Sequence, residues 1–516
     1  DNWYNQIGGK ASLDFKPIDG LTVSAVFAPV LNFEKLKSFR LAAPYTLAND
    51  PNVIGGYFEG HATTKLTENR NDDYNYTMQG IANYLKAIGK HDFNLMAGYE
   101  NYYQFNESLM ASRDQYELTG YPYLSIGPET LRDNSGSAFE YAYRSWFGRI
   151  IYNYDNKYLL QANIRYDGSS RFASDYRWGT FPSFSAGWVT SEEAFLKNVN
   201  WDWLSFLKIR ASWGTLGNER TGVWDNGTWK PNYYPYQATI GFSNVVFYQN
   251  GQPVSQLSAA QWRYAIENIS WETTESYNFG LDASFLNNRL RFSGDYYKKT
   301  TKDMLLALEI PDYVGFDNPD KNTGKMHTNG YELELSWNDQ AGDFNYSAAI
   351  NFSDFISKMG DLGGTEFLGD QVKMEGSEFN EWYGYKSDGL FLTQEDLDNS
   401  AKINSNVKVG DVKYVDISGP DGVPDGKISS EYDRVLLGGS LPRYMFGGNL
   451  SVGYKGLDLS LAFQGVGSQN VRLSSPMIEP LRENFGNIPK ILDGKYWTSL
   501  KTDAENAKAV YPRLTR

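Results

Sequence analysis

Apolar and polar residues alternate along most of this chain. From Ser276 to Leu286, Tyr277, Phe279, Leu281, Ala283 and Phe285 share one face, and Ser276, Asn278, Gly280, Asp282 and Ser284 share the other. Alternation with a period of two marks a β-strand with unlike faces. Asn287-Asn288 is a tight-turn signal, since Asn tolerates the positive φ such turns need. The pattern then resumes through Leu290, Phe292, Gly294 and Tyr296. The same unit recurs. Trp146 to Tyr154 turns at Asp155-Asn156-Lys157 into Tyr158 to Tyr166. Tyr331 to Trp337 leads into Phe344 to Phe352, and Tyr444 to Tyr454 turns at Lys455-Gly456 into Leu457 to Phe463. Weaker versions flank 17–20 and 86–92. With strands near 182–189 and 206–214, the pattern predicts about 14 strands.

Strand length and loop asymmetry decide which all-β class this is. The clear strands run roughly 10 residues, against about 5–6 in soluble sheets. Tilted by about 45°, 10 residues rise roughly 24 Å, close to the apolar band of an outer-membrane barrel. Short connections at 17–20, 86–91, 155–157, 287–288, 339–342 and 455–456 alternate with long ones at 29–73, 101–143, 215–273, 300–328 and 354–442. A transmembrane antiparallel β-barrel has short periplasmic turns and long extracellular loops. A soluble sandwich or propeller has no reason to sort loop length by end. One short-side connection, 190–206, predicts a helical turn with Ser191 as N-cap. Trp201 and Trp203 beside it, and Tyr74, Tyr76, Tyr152, Tyr154, Tyr158 and Trp337 at strand ends, suit interface girdles. The Ser, Asn, Gly, Asp, Arg and Gln of the polar face describe a wet lumen.

Composition adjusts this picture in a few places. Aromatic residues make up 16% of the 516. No apolar run is long enough for a transmembrane helix, which leaves a strand-built membrane protein open. The net charge of −14 argues against nucleic acid as a partner, because phosphate neutralisation needs a basic face. The chain has no cysteine, so disulfides and thiolate metal sites are out. Its opening, "DNWYNQIGGKASLDF", has neither the basic nor the apolar region of an export signal. An exported protein needs one, so the expectation is that it was removed or that residue 1 is not the natural start.

Candidate chemistry is sparse. His61, His91 and His327 fall in no metalloprotease spacing, and there is no GxSxG. No catalytic residue is expected. The stretch "RYDGSSRFASDYRWGTFPSFSAGW", Arg165 to Trp188, looks like a Gly-rich active-site loop but lacks the phosphate-loop spacing. Alternation at both ends makes it a hairpin instead. Arg165 and Asp167 continue the polar face of Gln161 and Asn163, and Phe184, Ala186 and Trp188 return on the apolar face. Asp–Arg pairs among Asp167, Arg171, Asp175 and Arg177 are expected to pin its turn. Loop 416–433, "DISGPDGVPDGKISSEYD", offers Asp416, Asp421, Asp425 and Asp433 as hard oxygen ligands, with Gly426 for the turn and Ile428 as anchor. An insertion at 419–424 breaks calcium-loop spacing. The loop reads either as a structural Ca2+ or Mg2+ site or as an Asx-turn-rich loop. No other cofactor is called for. Trp224, Trp229, Tyr233, Tyr234 and Tyr236 cluster in one long loop, and Trp382, Tyr383 and Tyr385 in another. Such rings either stack on sugar faces, with nearby polar groups binding hydroxyls, or pack the loops and contact a partner protein.

The Arg165–Trp188 segment closely resembles one in the SusC/RagA-like TonB-dependent transporters of Bacteroidota. So do "LKIRASWGTLGNE" (207–219), the 271–306 and 322–337 segments, "YGYKSDGLF" (383–391), 410–465 and "YPRLTR" (511–516), in the family's order. The resemblance runs from about residue 140 to the end. Residues 1–139 fit by pattern only. It implies an outer-membrane barrel of about 22 strands with a plugged lumen, set in outer-membrane lipid. It further implies import of glycans, or of peptides, beneath a SusD-like surface lipoprotein, with TonB pulling on the plug and the SusC–SusD pair sometimes forming a dimer. A structural subunit of a larger outer-membrane complex is the remaining alternative. No plug or Ton box precedes residue 1 and no aromatic-ended last strand closes the chain, so a central barrel portion is expected.

Overall fold

The computed structural model describes the chain except for residues 199–202, 226–227, 262–264, 308–312, 314, 316–319, 365, 475–488 and 515–516, and the side chains of 223–225, 307 and 320. The main sheet has 15 strands. In chain order they are β1 (Asn2–Gly8), β2 (Ala11–Ile18), β3 (Leu21–Arg40), β4 (Lys65–Ile88), β5 (His91–Asp114), β6 (Arg132–Tyr154), β7 (Tyr158–Ser169), β8 (Trp178–Val189), β9 (Leu204–Asn218), β10 (Glu272–Phe285), β11 (Leu290–Ala307), β12 (Asp320–Ala341), β13 (Phe344–Met359), β14 (Arg443–Tyr454) and β15 (Leu457–Ser468). Chain neighbours are sheet neighbours throughout, except that β1 and β2 lie end to end along β3. Every short turn expected from the sequence is present. Asn287 and Asn288 sit at φ 58° and 65°, and Lys455 and Gly456 at 47° and 88°, the positive values that two-residue hairpins require.

The chain forms two compact units: 1–201, 207–279 and 302–322 in one, 202–206, 280–301 and 323–516 in the other. In the first, one sheet face is apolar and exposed, carrying Phe27, Met78, Trp146, Ile150, Ile164, Phe184 and Trp188. An aromatic row runs along each end of that face. Tyr74 stacks on Phe105 at 5.0 Å, Tyr99 meets Trp146 at 4.6 Å, and Tyr166 stacks on Trp178 at 4.8 Å. At the short-turn end Phe93 meets Tyr152 at 5.1 Å and Tyr154 stacks on Tyr158. Aromatic girdles around an aliphatic band fit a lipid-facing wall. The second unit repeats the pattern with Leu335, Ile350, Leu450, Leu461 and Phe463, and Phe344 stacks on Tyr454 at 4.4 Å.

Three expectations need correction. The loops at 29–73 and 101–143 are much shorter than expected, because β3 runs to Arg40, β4 starts at Lys65, β5 runs to Asp114 and β6 starts at Arg132. The loop at 300–328 likewise loses its ends to β11 and β12. Past the apolar band both sheet faces meet water, so alternation fades although the ladder continues. The loop at 215–273 contains two hairpins, Gly222–Asp225 with Thr228–Pro231 and Ile240–Gln249 with Gln252–Gln261. Second, Ser191 does not cap a helix. The single turn Ala194–Lys197 follows Glu193 with no side-chain cap, and Ser191 lies in the preceding 3-10 turn. Trp203 stacks on Phe285 at 5.7 Å; Trp201 lies outside the described residues.

The third concerns the turn after β7. The Arg165–Asp167 pair forms, at 3.0 Å. Arg171 and Arg177 bind backbone carbonyls instead: Arg171 those of Thr221 and Asn232, Arg177 that of Phe172. Asp175 accepts from Ser174. Phe172, fully buried against Trp271 at 5.5 Å, fastens the turn from beneath.

The 354–442 loop is a small folded body. Ribbons at Gln371–Val372, Glu381–Tyr385 and Arg434–Gly438 form one sheet, and Ser387–Leu390 pairs with Val412–Tyr414. Val372, Phe391, Leu397 and Ile428 are buried within it. Thr393 caps the helix Gln394–Asn399 by accepting from Asp396 N. Arg443 clamps the loop's base, its Nε and Nη2 reaching the two oxygens of buried Asp354 at 2.6 and 2.7 Å.

Candidate functional site

The polar sheet face of the first unit is wired together by side chains brought level by strand register. Asp73 on β4 accepts from Asn32 on β3 at 3.1 Å and from Gln104 on β5 at 2.6 Å. One strand on, Glu100 accepts from Gln79 and from the Tyr143 hydroxyl. Arg165 on β7 bridges Asp167 and Ser145 while lying over the Phe147 ring. Asn163 donates to Ser183 at 3.1 Å. Asp73, Glu100, Arg165 and Asp167 on this face are held by hydrogen bonds, as a wet but ordered wall requires. Sequence reasoning placed Arg165, Asp167, Gln161 and Asn163 here but missed Asp73, Gln79, Glu100 and Tyr143. Their partners sit 20 or more positions away, and only the register brings them together.

The first aromatic cluster roots its loop. Tyr233 stacks on Phe139 at 4.1 Å and lies under the Arg171 guanidinium at 4.5 Å. The Tyr234 hydroxyl donates to Glu140 O at 3.1 Å and accepts from Glu140 N at 2.9 Å. Trp229 carries the Arg220 guanidinium over its ring at 4.7 Å, and the Tyr236 hydroxyl accepts from Gln237. Trp224 pairs with Trp229 through its backbone; its side chain lies outside the described residues. Tyr233 and Tyr234 are therefore engaged in packing, the second of the two uses open to such rings.

Trp382 and Tyr383 line a cavity of about 310 Å³ with Asp370, Leu437, Asn470 and Arg472. Trp382 Nε1 donates to Asn470 O at 2.7 Å, which fixes the indole plane. The Arg434 guanidinium covers the Tyr383 ring at 4.3 Å, and Arg472 pairs with Asp370. Tyr385 stands apart, against Tyr414.

In loop 416–433 the carboxylates serve the backbone. Asp433 is fully buried and accepts from Ile417 N, Ser418 N and Ser429 N. Asp416 accepts from Gly426 N at 2.6 Å and Asp425 from Lys427 N at 2.9 Å. Burial alone pushes the Asp433 carboxyl up, but those donors outweigh it and hold the group below the usual carboxylate range. Among the described residues no three His, Cys, Asp or Glu side chains stand together in a metal-holding group. Asp421 is exposed. The histidines make local contacts: His61 with Glu59 O, His91 with Tyr152 and His327 with Thr300.

Residues 2–467 match the family model described as TonB dependent receptor-like, beta-barrel. The chain is 29% identical to TonB-dependent receptor P26 of Formosa agariphila, over 91% of its own length and 46% of that protein. It is 27% identical to TonB-dependent receptor SusC of Bacteroides thetaiotaomicron, over 76% of its length and 37% of SusC. Its fold is similar to the structure of the RagAB peptide transporter, with a TM-score of 0.71 and 24% identity, covering 90% of this chain and 48% of that one. The chain thus spans about half or less of the length of these relatives. It belongs to the TonB-dependent receptor-like β-barrel family, whose place is the Gram-negative outer membrane and whose members are not enzymes.

Proposed function

We propose that the whole protein imports oligosaccharides across the outer membrane by TonB-coupled transport, with a SusD-like lipoprotein closing over its extracellular side. The Trp382–Tyr383 cavity carries this reading. It joins an indole held in a fixed plane to a carboxylate, an amide and a guanidinium, from Asp370, Asn470 and Arg472. A sugar ring presents C–H bonds to an aromatic face and hydroxyls to such polar groups at its edge. Binding would depend on the ring's stacking area and on carboxylate acceptors.

A second reading, oligopeptide import, draws on the polar face. Its Asn, Gln, Ser and Arg groups, from Asn32 to Ser183, suit backbone amides, and Tyr233 and Tyr234 are occupied in packing. Calorimetric titration of the purified full-length lid–barrel complex with glycan and peptide panels separates the two. A glycan should bind, and Trp382→Ala should weaken it by about tenfold, the loss of one good stacking contact. Peptide binding alone would transfer the assignment to the second reading, and binding of neither class would overturn both.

A further inference from the structure

The Trp382–Tyr383 cavity owes its shape to a bulge. Trp382 pairs with Gly438 and Tyr383 with Leu436, so Leu437 is left over between them. Bulges re-aim side chains beside functional sites. Here Trp382, Tyr383 and Leu437 all line one cavity, although neighbours in a regular strand point to opposite faces. Gly438 holds a φ of 104°, and a Cβ there would collide with the Asn470 amide. Only glycine lets the chain at 470 come that close, which brings Asn470, Val471 and Arg472 into the lining.

Among the described residues, Asp370 and Arg472 are the charged members of that lining, and they pair with each other. Their side chains are 71% and 60% exposed, and an ion pair so exposed adds little to stability. It does set the electrostatics of the rim. A neutral sugar finds a carboxylate acceptor beside a guanidinium donor. One hydroxyl can donate to Asp370 while its neighbour accepts from Arg472. A sugar bearing a carboxylate or a sulfate has to take Arg472 from Asp370, and then sits beside an unpaired like charge.

Arg434 offers no substitute. Its guanidinium lies over the Tyr383 ring at 4.3 Å and donates to the carbonyls of Gly369 and Tyr383. That contact covers one face of Tyr383 and leaves the fixed Trp382 indole as the main stacking platform. At about 310 Å³ the cavity sits at the small end of ligand sites, about 300–1,000 Å³, which suits a short stretch of sugar units.

We propose that this cavity selects uncharged sugar units, and that Asp370 is its specificity-determining residue, rejecting uronic and sulfated units by charge. This rests on the oligosaccharide reading given above.

The test is calorimetric titration of the purified full-length lid–barrel complex with a panel of neutral oligosaccharides and their uronic-acid counterparts of the same linkage. The wild type should bind a neutral member at least about tenfold more tightly than its acidic counterpart. Asp370→Asn keeps the size and an acceptor oxygen but removes the charge. It should bring the two affinities within about threefold, and Asp370→Glu should restore the preference, with the barrel's heat-modifiability unchanged in both variants. An acidic counterpart bound as tightly as the neutral one by the wild type, or a preference that survives Asp370→Asn, overturns the proposal and leaves the import reading standing. Binding of no glycan at all sinks the import reading and this selectivity with it.

Discussion

The two longest loops solve the same problem in opposite ways. Residues 354–442 build their own core around Phe391 and Leu397, and pair charges at their base through Arg443 and Asp354. Residues 215–273 are held at the root, where Arg171, Tyr233 and Tyr234 fasten 221–234 to β6 and the turn after β7, and beyond that root they extend a ribbon that no third strand joins among the described residues. A loop that buries apolar area and satisfies its charges carries its own stability. A loop that exposes apolar area leaves that stabilisation to be collected on binding.

Arg443→Ala should separate the two most sharply. It strands the Asp354 carboxylate in a buried position, a loss of about 3–5 kcal/mol. Limited proteolysis of the full-length protein should then open 354–442 and spare 215–273; equal cleavage of both would erase the distinction. Asp433→Asn should cost about 1–3 kcal/mol, because an amide group replaces an acceptor serving three backbone donors. It should also remove one contribution to the module's pH dependence. The folded Asp433 carboxyl lies below its unfolded value near about 3.9. Its stabilisation is therefore present above that value and fades as pH falls through the lowered one. Proteolysis of the wild-type module should rise in that acid window, and the Asn variant should rise less, because Asp354, Asp361 and Asp396, also held below the usual carboxylate range, remain.

Tyr234→Phe removes one hydroxyl with two partners and should cost about 1 kcal/mol, read as faster cleavage near residue 240. Phe242→Ser should change stability within about 0.5 kcal/mol, because the residue is mostly exposed and loses little packing. A larger loss would mean that the ribbon is held by the chain itself.

Much of the fold was legible because lipid imposes a strict period on strands, and tight turns impose Asn and Gly. Tyr277 to Phe285 and the Asn287-Asn288 turn show both constraints in one stretch. Legibility failed where the physical constraint ends. In "NRNDDYNYT" and "NESLMASRD" the strands have left the apolar band, both faces are wet, and sequence no longer distinguishes strand from loop. The candidate site was legible by residue type but not by use. Sequence leaves Asp433 open between a cation ligand and a turn-building acceptor, and its three backbone donors come from Ile417, Ser418 and Ser429. Sequence likewise leaves Tyr233 open between a sugar platform and a packing ring, and it stacks on Phe139. Whether a ring is spent on packing or left open depends on partners such as Phe139, almost a hundred positions away, which no local pattern encodes.

The overlong strands have a consequence for where the long loops are rooted. β4 and β5 each hold 24 residues. At about 3.3 Å per residue and a tilt near 45°, such a strand climbs about 55 Å, roughly twice the height of the apolar band. The excess is a stiff hydrogen-bonded collar, not slack chain. It carries the root of the 215–273 loop, at Phe139 and Glu140 on β6, beyond the apolar band on a rigid support.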